Sequence, residues 1–117
     1  MPLEARDAAS LWDVLQAVQA ITAFTTGVPL EDYRSSPMLR RAVERELEVV
    51  GEAARRLSDA FRTSHPEVRW RRIISLRNLI AHSYDAVDDE RVWRLAVQDV
   101  PQLVDQLRAL LPPEPAD

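Results

Sequence analysis

Cysteine and lysine are both missing from the 117 residues. Without cysteine the chain has no disulfide and no thiolate metal site. Without lysine, all 15 basic residues are arginine. Genomic base composition accounts for that bias, and the secondary reading is selection for planar forks that grip phosphate. No apolar run approaches the ~18–20 residues of a membrane span. The opening residues carry Glu4, Arg6 and Asp7 and lack the apolar core of a signal peptide. A cytoplasmic protein without a membrane partner is expected. Net charge is −4 and the pI is about 5.2, which opposes a cationic coat for non-specific nucleic-acid binding. A local basic cleft remains compatible with that balance. Hydrophobic residues make up 46%, enough to bury a core. The length suits one domain, residues 1–111, followed by a proline-rich tail, 112–117.

Glycine and proline punctuate four amphipathic stretches and no strand. Leu11, Val14, Leu15, Val18 and Ile21 mark a first helix, from about Leu3 to Thr26, closed by Gly27 and Pro29. Trp12 and Phe24 lie at the edges of its stripe. A loop of roughly ten residues containing Tyr33 follows. Ser36-Pro37 then starts a second helix. Its stripe is Leu39, Val43, Leu47, Val50, Ala54, Leu57 and Phe61. Glu44, Glu48 and Glu52 share one row of this helix. Flanking arginines and the lack of histidine or aspartate there favour a charged face over a metal site. Glu52 and Arg56 have i,i+4 pairing spacing. Gly51 sits mid-helix, where a close helix crossing would account for it.

Ser64 and Glu67 have capping-box spacing and open a third helix through Val68, Trp70, Ile73, Ile74, Leu79 and Ile80. His65, beside Pro66, reads as a turn residue. Arg69, Arg71, Arg72 and Arg77 make this the one locally basic stretch. Trp70 with Arg69 and Arg72 would line a groove for an RNA backbone and a stacked base, or else Trp70 is core and the arginines are solvated. Asp88 caps a fourth helix, with Val92, Leu95, Ala96, Val100, Leu103, Val104 and Leu107 on its apolar face. Pro101 should kink or break it. The expected fold is an all-α antiparallel four-helix bundle.

The third helix ends in Arg77-Asn78-Leu79-Ile80-Ala81-His82-Ser83-Tyr84. Guanidinium clamps phosphate and imidazole moves protons near neutral pH. On an ideal helix Arg77 and Tyr84 fall within about 20° of each other, but Arg77 and His82 lie about 140° apart. One straight helix does not aim both at one target. Either its end loosens, or a two-fold partner supplies the other residue, and the dimer is the favoured reading. Taken singly, His82 is a helix-end histidine, Arg77 an ion-pair partner of Asp85 or Asp88, Tyr84 a rim residue and Asn78 a helix-end hydrogen bonder. Only their combination points to a phosphodiester.

That octet, with Val50-Gly51-Glu52-Ala53, Trp70, Ile73-Ile74, Val92-Trp93 and Leu103, resembles the HepT-like toxins of the HEPN superfamily over essentially the whole chain. The resemblance implies a homodimeric, metal-independent endoribonuclease without cofactor. It would be the toxin of a toxin–antitoxin pair whose partner is a minimal nucleotidyltransferase. It makes Arg77 and His82 the catalytic pair, Asn78 the supporting polar residue and Tyr84 the position modified with AMP. RNA supplies its own 2′-OH nucleophile, so no metal is needed to generate one. An alternative is a non-catalytic helical dimer that holds a nucleotidyltransferase or nucleotides. A DNA-binding regulator is weaker, since no helix-turn-helix spacing appears.

Overall fold

A computed structural model describes residues 3–81 and 88–111. All secondary structure among these residues is helical. The elements are α1 (Ala5–Thr25), α2 (Leu30–Ser35), α3 (Pro37–Arg55), α4 (Asp59–Ser64), α5 (Trp70–Ile74), α6 (Leu76–Ala81), α7 (Asp89–Arg94), a π-helical turn (Leu95–Asp99) and α8 (Val100–Leu110). α1 packs between α3 and α8, and α3 packs in turn on α5 and α6. The bundle expected from four stripes is therefore present, with its strands of helix more segmented than periodicity alone suggests.

α1 ends as glycine chemistry requires. Gly27 takes φ +73°, a left-handed conformation costly for other residues. Thr22, Thr25 and Thr26 each donate a side-chain hydrogen bond to the carbonyl four residues back. All five residues of the expected α1 stripe are buried, while Trp12 is partly covered and Phe24 is exposed. α3 starts at Ser36-Pro37, where the Ser36 hydroxyl accepts from the Leu39 amide at 3.2 Å. α7 starts at Asp88, whose carboxylate accepts from the Arg91 amide at 3.2 Å.

Three local readings are corrected. The connection after Gly27 is not wholly irregular, because residues 30–35 form α2 and Tyr33 is completely buried. Glu31 and Asp32 in its first turn and Arg34 in its last match the helix dipole. Burial, with Glu44 and Asp89 nearby, pushes the Tyr33 phenol well above its ordinary range, so it stays neutral. Its hydroxyl has no hydrogen-bond partner among the described residues.

The second correction concerns the long helix expected to reach Phe61. It stops at Arg55, and Ser58 begins α4 by accepting from the Phe61 amide at 3.1 Å. The cause lies 51 residues upstream. Asp7, buried in the first turn of α1, accepts from the Ser58 amide at 2.8 Å and from its hydroxyl at 2.7 Å. Asp7→Ala strands both donors, and it should cost about 1–2 kcal/mol, the usual scale for losing a cap or a partnered buried group. A urea-unfolding midpoint unchanged from the parent would reject that role.

Third, Ser64 does not cap a following helix. Its hydroxyl donates back to Ala60 O at 2.8 Å, and the next helix begins only at Trp70. At Pro101 the expected interruption is present: the last helical stretch is divided, and Pro101 lies in the first turn of α8. A π-helical turn precedes it, a wider winding that relieves the proline ring of its clash with the carbonyl four residues back.

Candidate active site

α5 and α6 are nearly continuous, interrupted at Ser75, whose hydroxyl turns back to Arg72 O at 2.6 Å. This junction lies against the middle of α3, and Gly51 is why it fits. A Cβ on Gly51 would stand 2.9 Å from the Arg77 amide nitrogen, 3.0 Å from Arg77 Cβ and 3.1 Å from Ile74 O. The close crossing expected at the mid-helix glycine is thus observed, and what it approaches is the backbone of Arg77 itself.

Arg77 points its exposed side chain along α3. Its Nε lies 3.6 Å from Glu52 Oε2. The other carboxylate oxygen, Oε1, accepts from Arg55 Nη2 at 2.9 Å. The Arg55 hydrogen bond, helped by the charges of Arg77 and Arg56, lowers the Glu52 carboxyl from its ordinary value. Glu52 therefore stays ionised between two guanidinium groups. Its partners are Arg55 and Arg77, not the Arg56 suggested by i,i+4 spacing, and Arg56 instead faces Asp13 at 3.9 Å. Of the acids expected beside Arg77, Asp85 lies outside the described residues; among those described, the acid that reaches it is Glu52 of α3. The adjacent Gly51-Glu52 was the available signal, since a glycine that admits one backbone places its neighbour beside that backbone's side chain.

Asn78 follows Arg77 on α6 and is exposed. His82 and Tyr84 lie outside the described residues, as do Asp85 and the tail. Two arginines and one carboxylate nevertheless make this patch net positive within an acidic chain. That is the local basic site the overall charge permits.

Arg69 and Arg72 sit elsewhere. They line a groove of about 360 Å³ between α5 and the π turn with α8, floored by Leu47, Ile73, Leu76 and Leu103. Arg72 pairs there with Asp99 at 3.3 Å, and Gln106 donates to Glu67 O at 3.3 Å. Arg77 does not line this groove. Trp70 is core: it is 6% exposed, its ring lies against Phe61 at 5.8 Å, and its indole N–H donates to His65 O at 2.9 Å. Of its two readings the stacking platform is the one overturned, because the ring is already covered by protein. His65 is the turn residue expected, placed at the C-terminus of α4. No cluster of three or more potential metal-ligating side chains occurs among the described residues. No described helix is long and apolar enough to cross a membrane.

Comparison with known proteins adds to this geometry. Residues 14–110 match the model of the family described as "Ribonuclease HepT-like". A Methanocaldococcus jannaschii protein named "Putative RNase MJ1380" is 34% identical over 95 residues, covering 81% of this chain and 87% of that protein. A Thermococcus cleftensis protein named "Probable ribonuclease HepT" is 33% identical over 93 residues, covering 80% and 84%. No solved structure matches the chain. The family match spans the α3–α6 crossing, Arg77 and the whole apolar frame around them, and the chain belongs to the HepT-like ribonuclease family.

Proposed function

We propose that this protein is a metal-independent endoribonuclease that acts as the toxin of a toxin–antitoxin pair. The observation that carries the reading is Arg77: an exposed guanidinium, paired on its Nε side with Glu52 at 3.6 Å and followed by the exposed Asn78. Its terminal nitrogens have no partner among the described residues, and those nitrogens grip phosphate oxygens. His82, five residues on, supplies the proton transfer.

In the proposed reaction the 2′-OH attacks the adjacent phosphorus and the bond from phosphorus to the 5′-oxygen breaks. One proton leaves the 2′-OH and one is delivered to the departing 5′-oxygen. His82 serves one of these transfers. Arg77 stabilises the charge that builds on the phosphoryl oxygens, and Asn78 orients phosphate or imidazole. Two copies of the chain meet in a homodimer so that both helix ends face one cleft. A minimal nucleotidyltransferase partner silences the enzyme by placing AMP on Tyr84, adding bulk and negative charge where RNA must enter.

Incubating the purified protein with end-labelled RNA in EDTA tests the reading. Fragments ending in 2′,3′-cyclic phosphate and 5′-hydroxyl are expected. Intact RNA, or cleavage only after a divalent ion is restored, would reject it.

A further inference from the structure

We infer that Gly51-Glu52 is a positioning device for Arg77, with Glu52 fixing the direction in which its guanidinium presents phosphate-binding nitrogens. The inference rests on the ribonuclease reading above. Two independent contacts converge on one residue. Gly51 admits the Arg77 backbone to a distance no other residue type allows, and the next side chain sets a carboxylate oxygen 3.6 Å from the Arg77 Nε.

Stability does not account for the pair. Arg77 is about half exposed and the separation is 3.6 Å, a geometry that contributes little to folding. Charge does not account for it either, because a carboxylate beside a phosphate-binding cation repels substrate. Orientation does account for it. A long arginine side chain has many rotamers, and a carboxylate lying 3.6 Å from Nε favours, by charge attraction, those that turn the terminal nitrogens outward. Arg55 completes the arrangement by holding the far carboxylate oxygen at 2.9 Å, so Glu52 is itself restrained. Glu52 is a positioning residue here, acting through Arg77 and not on RNA.

The opposing effects of charge and orientation make the test directional. Glu52→Gln and Glu52→Ala are compared with the parent by steady-state cleavage of a short RNA, with urea unfolding as the fold control. The kcat should fall about ten- to a hundredfold, the scale of a misplaced catalytic group. KM should stay level or drop, since a repulsive charge has been removed. The Arg77 Nε–H NMR resonance, assigned through Arg77→Lys, should shift and exchange faster with water. An unchanged or increased kcat overturns the inference, because a bystander acid near a phosphate site gives that result. A reduced kcat with an unmoved Nε–H resonance overturns it too. If Arg77→Ala itself cleaves normally, the ribonuclease reading fails and takes this inference with it. If Arg77→Ala is inactive and both Glu52 variants are fully active, only the inference fails.

Discussion

The His82→Ala protein is expected to lose RNA cleavage by a factor of about 10²–10⁴, the range that positioned proton transfer contributes. A ribose hydroxyl is a poor nucleophile until its proton is taken, and a 5′-oxygen is a poor leaving group until one is supplied. No thiol or lysine amine is available from this chain. His65, the other histidine, is bound up at the end of α4, where its Nδ1 lies 3.4 Å from Glu67 and its ring packs on Phe61 at 4.6 Å. That leaves His82, five residues beyond Arg77 in the sequence, as the imidazole of the proposed chemistry. The fold control is a urea midpoint equal to the parent's, and the internal control is His65→Ala, which should retain most of its cleavage activity. If clean His82→Ala protein cleaves at the parental rate, the proposed chemistry is wrong.

Gly51→Ala should damage stability and cleavage together. On helix propensity alone the substitution gains about 1 kcal/mol. Against that gain stands a methyl group 2.9 Å from the Arg77 amide and 3.1 Å from Ile74 O. Both are backbone atoms, so no rotamer change relieves the overlap, and the helices must separate. Overpacking of this kind costs about 1–3 kcal/mol, so the steric term outweighs the propensity gain in most of that range. The displaced atoms belong to Arg77, the residue proposed to bind phosphate. Cleavage should therefore fall on the order of 10²-fold even at temperatures where the variant is fully folded. Urea unfolding and single-turnover cleavage below the unfolding transition separate the two effects. A Gly51→Ala protein more stable than the parent and fully active would show that the crossing has slack.

What the sequence disclosed follows the range of the interactions involved. Ser36, Asp88 and Gly27 act on amides or dihedrals within three residues of themselves, so their roles could be read directly. The stripes of α1, α3 and α8 are equally local, since burial repeats with the helical turn. The break at Ser58 is tied to Asp7, 51 positions away, and the local cap of Ser58 on the Phe61 amide is hidden in the sequence by an apolar stripe that runs on through Leu57 and Phe61. Ser64 shows the opposite failure: the spacing to Glu67 is right, but the hydroxyl prefers the carbonyl of the helix it ends. At the proposed site, the octet nominated Arg77 from residue types alone. The approach of Glu52 to it is set by the α3–α6 crossing, which periodicity within either helix does not encode.

The wide turn ahead of Pro101 has one more implication. It lets the last helical stretch keep two phases at once: α7 meets α2, while α8 beyond the turn meets α1. A single-residue deletion at Val97 would tighten that winding toward ordinary α geometry. Because a π turn carries one residue more than the α winding it replaces, that tightening absorbs the deletion and leaves Val100, Val104 and Leu107 on the buried side of α8. The surplus residue is therefore a local insertion taken up by widening, and losing it should leave the C-terminal helix seated on α1.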